Sequence, residues 1–167
     1  MPVKRALPWF EARTAKWFAV AAALVVADRL TKIVVLEMLA PGESRPVTGF
    51  FNLVLVFNKG AAFSFLAGAS GWQTPLLTAV ALVAAAVITV LIPRHSGNRL
   101  LCCGLALILG GALGNLWDRL AWGHVADFLD FHAAGWHWPA FNVADSAITV
   151  GAGLLIVESF VHRGHGG

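Results

Sequence analysis

Charged residues are scarce in this 167-residue sequence, and their scarcity excludes an ordinary soluble domain. Asp, Glu, Lys and Arg make up 13% of the chain, whereas 58% of it is hydrophobic and the mean hydropathy is +0.73. Soluble domains typically contain about a quarter charged residues. The chain is therefore predicted to lie in a membrane, and its length suits one compact helical domain over residues 1–167.

A strong excess of positive charge and a set of spaced cysteines are also lacking. The net charge is only +3 with scattered basic residues, so nucleic acid is not an expected partner. Cys102 and Cys103 are adjacent within an apolar run, and we interpret them as packing residues rather than a disulfide or a metal site. The first apolar segment is too long for a signal-peptide core and no small-x-small cleavage site follows it, so no cleavable signal peptide is expected.

Four long apolar segments are each able to cross a bilayer as a helix, which needs about 20 residues. They cover approximately residues 17–39, 72–92, 100–117 and 142–161. The first segment is interrupted by Asp28, Arg29 and Lys32. The sequence nevertheless predicts an all-α membrane protein with four transmembrane helices.

The basic residues next to these segments predict the orientation of the chain. Most of them flank the same ends of the segments, namely Lys4, Arg5, Arg13, Lys16, Arg94, Arg99 and Arg163. Because basic residues are enriched on the cytoplasmic side of membrane proteins, both termini are predicted to be cytoplasmic. The two larger loops then face outward.

The first outer loop, about residues 41–66, has the composition of a β-structure. Turn-forming residues fill 41–46, β-branched and aromatic residues fill 47–57, and residues 58–60 form a turn signal. We therefore predict a small extracytoplasmic β-sheet or cradle between helices 1 and 2.

The second outer loop, about residues 119–140, contains acidic and histidine side chains. Those that invite a metal-site interpretation are His124, Asp127, Asp130 and His132. Their spacing matches no strong metal motif such as HExxH, so a metal is not expected. Polar and apolar residues alternate around Asp127, which indicates a short strand or an ordered interfacial segment. Three tryptophans suit the membrane interface: Trp122, Trp136 and Trp138.

The pattern Asn-x-x-Asp occurs twice, at residues 115–118 and 142–145. Asn142 is interpreted as the N-cap of the fourth helix, with the Asp145 carboxylate reaching back to it. Asp118 instead ends the third segment, where the helix dipole opposes a negative charge. A structural pair between Asp118 and Arg119 is therefore predicted.

Other polar and small residues have structural interpretations. Asp28 and Lys32 are spaced i, i+4 and are predicted to form an ion pair that tethers the end of the first span. Ser64 and Ser146 have no evident base that would make a nucleophile. Three glycines suit close helix packing: Gly110, Gly111 and Gly114.

On this topology Asp118, Asp127 and Asp145 converge at the outer face. Two neighbouring aspartates do not both ionise easily, so they share a proton. One then acts as a base on water while the other hydrogen-bonds a substrate carbonyl. Asp127 and Asp145 are the candidates. The residues alone leave both an aspartyl hydrolase and a proton-coupled carrier open.

Five motifs, in order and at matching spacing, resemble those of the bacterial lipoprotein signal peptidase (signal peptidase II) family. They are "DRLTK" (28–32), "FNKGAAFS" (57–64), "GGALGNLWDRL" (110–120), "HVADF" (124–128) and "FNVADSAITVG" (141–151). Ala126 stands where valine is commoner in the family, and the aromatic loop over residues 131–138 is variable there. The resemblance implies an intramembrane aspartic protease of the bacterial cytoplasmic membrane, with its active site near the outer face.

The resemblance also implies a substrate and a set of site residues. The substrate is a prolipoprotein with a diacylglyceryl-cysteine, cut just before that cysteine, and no metal or organic cofactor is expected. The catalytic pair falls on Asp127 and Asp145. Supporting or substrate-binding positions fall on Asn58, Gly60, Asn115, Asp118, Arg119, Asn142, Asp28 and Lys32. Membrane phospholipid is the other expected partner, and the chain is expected to be a monomer.

Two alternatives come from other functional classes. A carrier would need polar residues through to the cytoplasmic half, and the second and third segments have almost none there. A non-catalytic assembly or lipid-binding subunit would keep full function after Asp127→Asn and Asp145→Asn.

Overall fold

The computed structural model describes residues 12–60 and 72–163, which form a bundle of helices with a small sheet at one end. The elements are α1 (Ala12–Met38), β1 (Ser44–Thr48), β2 (Phe51–Asn58), α2 (Gln73–Arg94), α3 (Arg99–Trp122), β3 (Val125–Ala133), β4 (Trp136–His137) and α4 (Val143–Arg163). The four predicted helical segments are all present, although several begin or end a few residues away from the predicted positions. The predictions for Lys4, Arg5 and Ser64 lie outside the described residues.

Helix α3 is the centre of the bundle and contacts α1, α2 and α4. Its small residues allow this close packing. A Cβ atom on Gly104 would lie 2.9 Å from the carbonyl oxygen of Gly151 on α4, and one on Gly110 would lie 2.8 Å from that of Ala21 on α1. The close packing predicted for Gly110, Gly111 and Gly114 is confirmed.

Among the helices that the structure describes, three are long and apolar enough to cross a membrane, by length and composition. They are α2, α3 and α4, whose most apolar segments have mean hydropathies of 2.6, 1.9 and 1.5, respectively. Helix α1 has 27 residues but does not qualify among the described helices, because Asp28, Arg29 and Lys32 interrupt its apolar sequence. The Asp28 and Lys32 side chains are completely buried inside the protein, so they are not presented to the surroundings of α1.

The sheet has the order β1-β2-β3-β4, and all neighbouring strands are antiparallel. Strands β1 and β2 form the β-structure predicted between helices 1 and 2. The sheet also includes β3 and β4 from the second loop, for which the sequence indicates only a short strand. In the β2–β3 register, Val56 is paired with Asp127 and Asn58 with Val125. This pairing brings the end of β2 to Asp127.

Two apolar clusters join the helices to one another and to the sheet. One lies between the helices and comprises Ala21, Ile88, Ile92, Leu105 and Leu109. The other joins the end of α1 to the sheet and comprises Val35, Leu39, Leu55, Ala126 and Phe128. The second cluster holds the sheet over the end of the bundle at which α1 and α3 end and α4 begins.

Candidate active site

Asp127 and Asp145 lie in one buried polar network between the sheet and the bundle. Asp127 is on β3 and is 1% exposed, and Asp145 is in the first turn of α4 and is 5% exposed. Asn142 Nδ2 donates to Asp127 Oδ1 at 2.7 Å, and Asn115 Nδ2 donates to Asp145 Oδ1 at 2.8 Å. Asn142 Nδ2 also donates to Asn115 Oδ1 at 3.2 Å. The two asparagines thus connect the two carboxyl groups.

Asn142 starts α4 and so fixes the position of Asp145. The backbone N–H of Asp145 donates to Asn142 Oδ1 at 2.9 Å, which confirms the predicted N-cap. The Asp145 carboxylate is turned towards Asn115 on α3. A carboxylate in the first turn is also stabilised by the helix dipole.

The end of β2 supplies a second amide to Asp127. Asn58 Nδ2 donates to Asp127 Oδ2 at 2.9 Å, and Asn58 Oδ1 accepts from the backbone N–H of Gly60 at 2.8 Å. The carbonyl oxygen of Gly60 accepts from Arg119 Nη2 at 3.0 Å. Asn58 and Gly60 from one motif are thus linked to Arg119 from another, next to the Asp127 carboxyl group.

Burial raises the pKa of Asp127 to about 7, and the neighbouring Asp145 carboxylate raises it as well. The hydrogen bonds from Asn58 and Asn142 act in the opposite direction, because they stabilise the ionised form. A carboxyl group with this pKa is able to hold a proton near neutral pH and to release it during a reaction.

A charged cluster lies behind the carboxyl pair. Lys32 Nζ is 2.8 Å from Asp28 Oδ2 and 2.7 Å from Asp118 Oδ2, and all three side chains are fully buried. Lys32 Nζ also donates to Asn115 Oδ1 at 3.2 Å, and Asp28 Oδ1 accepts from the backbone N–H of Ala144 at 3.0 Å. The cluster therefore orients both Asn115 and the start of α4.

The predicted pair between Asp118 and Arg119 is wrong. Asp118 Oδ1 is 2.6 Å from Arg29 Nη1, an ion pair that the sequence interpretation missed, whereas Arg119 Nη1 donates to the carbonyl oxygen of Asn115 at 3.4 Å. Consecutive residues of a helix point in different directions and do not face each other. The predicted Asp28–Lys32 pair is present, but it lies deep among the helices rather than at an interface.

The possible metal ligands of the second loop make separate contacts. The His124 ring packs on Phe57, with 4.3 Å between ring centroids, and Asp130 Oδ2 accepts from Asn52 at 2.8 Å. His132 stacks on His137 at 4.9 Å. Within residues 12–60 and 72–163, no group of three or more His, Cys, Asp or Glu is arranged to hold a metal ion.

An apolar groove between α2, α3 and α4 leads to Asp145, one member of the carboxyl pair. It has a volume of about 230 Å³, and its walls include Leu77 and Ile148, while Asn115, Arg119 and Asp145 form its polar part. The Nε atom of Arg119 is buried and has no hydrogen-bond acceptor among the described residues. The arrangement suits an apolar ligand segment with a polar group placed at Asp145.

Comparisons with known proteins agree with these features. The family model described as signal peptidase (SPase) II matches residues 20–161. The chain is 60% identical over 144 residues to a lipoprotein signal peptidase of Paraburkholderia phytofirmans, covering 86% of this chain and 84% of the relative. It is 61% identical over 142 residues to that of Cupriavidus necator, covering 85% and 81%.

Solved structures show the same fold. A bacterial membrane enzyme determined by the in meso method at 2.3 Å resolution superposes with a TM-score of 0.82 at 27% identity, covering 92% of both chains. A second, determined at 1.9 Å, gives a TM-score of 0.75 at 28% identity, covering 86% of this chain and 92% of the other. With a family model that spans most of its length and relatives this similar, the chain belongs to the signal peptidase II family.

Proposed function

We propose that the chain is a membrane-embedded aspartic endopeptidase that removes the signal peptide from prolipoproteins bearing a diacylglyceryl-cysteine, cutting just before that cysteine. The observation that carries the proposal is the buried carboxyl pair, Asp127 and Asp145, of which Asp145 lines the polar part of an apolar groove. The groove would hold an apolar part of the substrate and present its peptide bond to the pair. The relatives named lipoprotein signal peptidase support this substrate class.

The two carboxyl groups are proposed to have different roles in the reaction. In the proposed reaction, Asp127 holds the shared proton, because burial raises its pKa to about 7, and it hydrogen-bonds the scissile carbonyl oxygen. Ionised Asp145 takes a proton from the attacking water. The resulting tetrahedral intermediate breaks its C–N bond as the amine leaving group takes up a proton from the pair. One water is consumed, and a carboxylic acid and an amine are formed.

The surrounding residues position the pair and the substrate. Asn142 and Asn58 orient Asp127, while Asn115, held by Lys32, orients Asp145. Arg119 lines the groove, and its Nε has no acceptor among the described residues, which suits it to bind a substrate carbonyl oxygen.

The membrane arrangement is part of the same proposal. Helix α1 would be a fourth span, because Asp28 and Lys32 pair inside the protein, Arg29 pairs with Asp118, and most of its remaining sequence is apolar. The chain would then be one membrane domain of the bacterial cytoplasmic membrane, active as a monomer among phospholipids, with cytoplasmic termini. The carboxyl pair would lie near the outer face, where water is available.

Cleavage of a diacylglyceryl-modified prolipoprotein by the purified protein tests the proposal. We expect Asp127→Asn and Asp145→Asn each to lower the cleavage rate by about 10²–10⁴-fold in a gel-shift assay, because each removes a proton-transferring group. Asp130→Asn is the matched control, since Asp130 is a buried aspartate of the same strand that contacts Asn52 instead of the pair. A chelator in every reaction tests for a metal requirement.

Retention of near-normal cleavage by either variant would show that the pair is misassigned. Absence of cleavage by well-folded unmodified protein would favour a carrier or a non-catalytic subunit.

A further inference from the structure

A second polar cavity lies at the opposite end of the bundle from the carboxyl pair. It is formed where the start of α1 meets the α2–α3 turn and the start of α3. Its volume is about 320 Å³, and its lining residues are Arg13, Lys16, Ser96, Gly97 and Arg99. Three of these five residues are cations and none is acidic, so the cavity is suited to an anion.

The three cations are held at this cavity by regular structure. Arg13 and Lys16 are three residues apart on α1, which places them on the same helix face, and Arg99 is the first residue of α3. None of the three forms an ion pair with a carboxylate in the parts of the chain that the structure describes. Like charges gathered around one cavity repel each other, and a bound anion would relieve that repulsion.

The start of α3 adds to this positive field. Asn98 caps the helix, with its Oδ1 accepting from the backbone N–H of Leu101 at 3.0 Å. The partial positive charge of a helix N-terminus favours anions such as phosphate. The Glu158 carboxylate contacts the same cap, with its Oε1 accepting from Asn98 Nδ2 at 2.7 Å, and it does not line the cavity.

Trp17 suits a position of this cavity near lipid headgroups. The Lys16 amine lies over the Trp17 ring, 4.6 Å from its centroid. Trp17 itself packs against the interhelical apolar cluster that includes Ile92 and Leu105. Tryptophan is enriched where the hydrocarbon meets the headgroups, so in a membrane the cations of this cavity would lie near the phosphate groups.

We propose that this cavity binds the phosphate of an anionic phospholipid headgroup on the membrane side opposite the active site. Basic cavities between helices on the cytoplasmic side of membrane proteins are suited to such headgroups. The bound phosphate would connect the start of α1 to the start of α3, two elements whose cations otherwise repel each other. The ligand chemistry is a phosphate monoanion, and free phosphate is the competing source.

Lipid binding to the purified protein in detergent tests the proposal. Native mass spectrometry would be used to titrate phosphatidylglycerol, phosphatidylcholine and inorganic phosphate separately. The test variant is Arg13→Gln/Arg99→Gln. The control is Arg45→Gln/Arg94→Gln, which removes the same charge but changes no residue of this cavity. Arg94 is a stringent choice, since it ends α2 just before the turn that lines the cavity.

We expect the unmodified protein to bind one phosphatidylglycerol more tightly than phosphatidylcholine. The test variant should weaken that binding by about tenfold, and the control should leave it unchanged. Equal losses in the two variants, or equal binding of the two lipids, would overturn the proposal. If inorganic phosphate binds as tightly as phosphatidylglycerol, the ligand is free phosphate and the proposal of a lipid ligand is wrong.

Prolipoprotein cleavage by the same variants separates this proposal from the peptidase assignment, because the cavity contains no residue of the carboxyl-pair network. If the double variant fails to fold, Arg13→Gln alone replaces it, since Arg13 is an exposed residue of the first turn of α1. The expected loss of phosphatidylglycerol affinity is then about threefold, and an unchanged affinity would contradict the proposal.

Discussion

At the scale of single residues, the site depends on asparagines that each make two kinds of contact. Asn142 accepts from the backbone at the start of α4 and donates to Asp127, while Asn58 accepts from Gly60 and donates to the same carboxyl group. An amide suits these positions because it has both donor and acceptor atoms, whereas an ionised carboxylate only accepts. Both amides lower the pKa of Asp127, against the larger effect of burial, which raises it.

The Asp127 pKa predicts the pH dependence of cleavage. With its pKa at about 7, Asp127 is protonated below that pH and loses its proton above it, so kcat/KM should fall as the pH rises through neutrality. Asn58→Ala removes a hydrogen bond that favours the ionised form, which raises the pKa further. The falling limb of kcat/KM should therefore move to higher pH, measured across a range of about pH 5 to 9.

Asn52→Ala is the control for this shift, because Asn52 donates to Asp130 and not to Asp127. If the falling limb of kcat/KM in Asn58→Ala stays at the same pH, or moves to lower pH, the result would contradict the role of Asp127 in holding the proton.

Replacement of Lys32 is predicted to lower the stability of the protein strongly. Lys32→Met leaves Asp28 and Asp118 fully buried with less positive charge beside them. Removing one partner of a buried ion pair typically costs about 3–5 kcal/mol, because the other charge stays buried without compensation. We expect a decrease of that size in the free energy of unfolding. The check is denaturant unfolding followed by circular dichroism. Arg45→Met, which removes the exposed partner of Glu43, should cause little change, and equal effects would contradict the prediction.

At the scale of elements, the contact between α3 and α4 decides whether the two halves of the site meet. Asn115 belongs to α3 and Asp145 to α4, and they are hydrogen-bonded only because the two backbones approach closely. Glycines make this approach possible at Gly104, Gly111 and Gly151, where a Cβ atom would overlap the backbone of the facing helix. The sheet has a similar role for Asp127, since β2–β3 pairing brings Asn58 to it.

Gly111→Ala tests this helix contact. A Cβ atom there would overlap the carbonyl oxygen of Ala144, the residue before Asp145, and would push α4 away from α3. Because a displacement of about 1 Å at a catalytic group costs about 10²-fold in rate, we expect a decrease of that order in cleavage. Gly153→Ala on α4 is the control, since an added Cβ atom there would meet nothing within 4 Å and alanine favours a helix. Similar rates for the two variants would contradict the prediction.

At the scale of the whole molecule, the two ends of the bundle differ in chemistry. One end contains the sheet, the buried carboxyl pair and the charged cluster around Lys32. The other end presents Arg13, Lys16 and Arg99 around a polar cavity. Basic residues favour the cytoplasmic side, so this asymmetry supports an active site that faces outward.

Cysteine labelling tests that orientation. In a Cys102→Ala/Cys103→Ala background, Val47→Cys on β1 and Ser96→Cys in the α2–α3 turn place single thiols at the two ends. A membrane-impermeant maleimide should label the β1 position in intact spheroplasts and the turn position only after the membrane is opened. Labelling of the turn position in intact spheroplasts would contradict the proposed topology.

The sequence by itself determined the class of the protein, its helical segments and the residues that gather at its site. Membrane insertion depends on apolar length, which composition shows directly. The structure also links polar residues from each of the five motifs through hydrogen bonds, namely Lys32, Asn58, Asn115, Asp127, Asn142 and Asp145. The N-cap at Asn142 was also predictable, because capping is a local interaction between residues three positions apart.

Only the tertiary structure decided how the site residues are paired. The sequence predicts Asp118 beside Arg119, but helix geometry turns neighbouring residues apart and Asp118 instead contacts Arg29, which is 89 positions away. Pairing of β2 with β3 and the approach of α4 to α3 likewise join residues from distant segments. Local sequence preferences set helix starts and apolar lengths. Contacts between side chains of different helices depend instead on how those helices pack, because packing decides which side chains are buried next to each other.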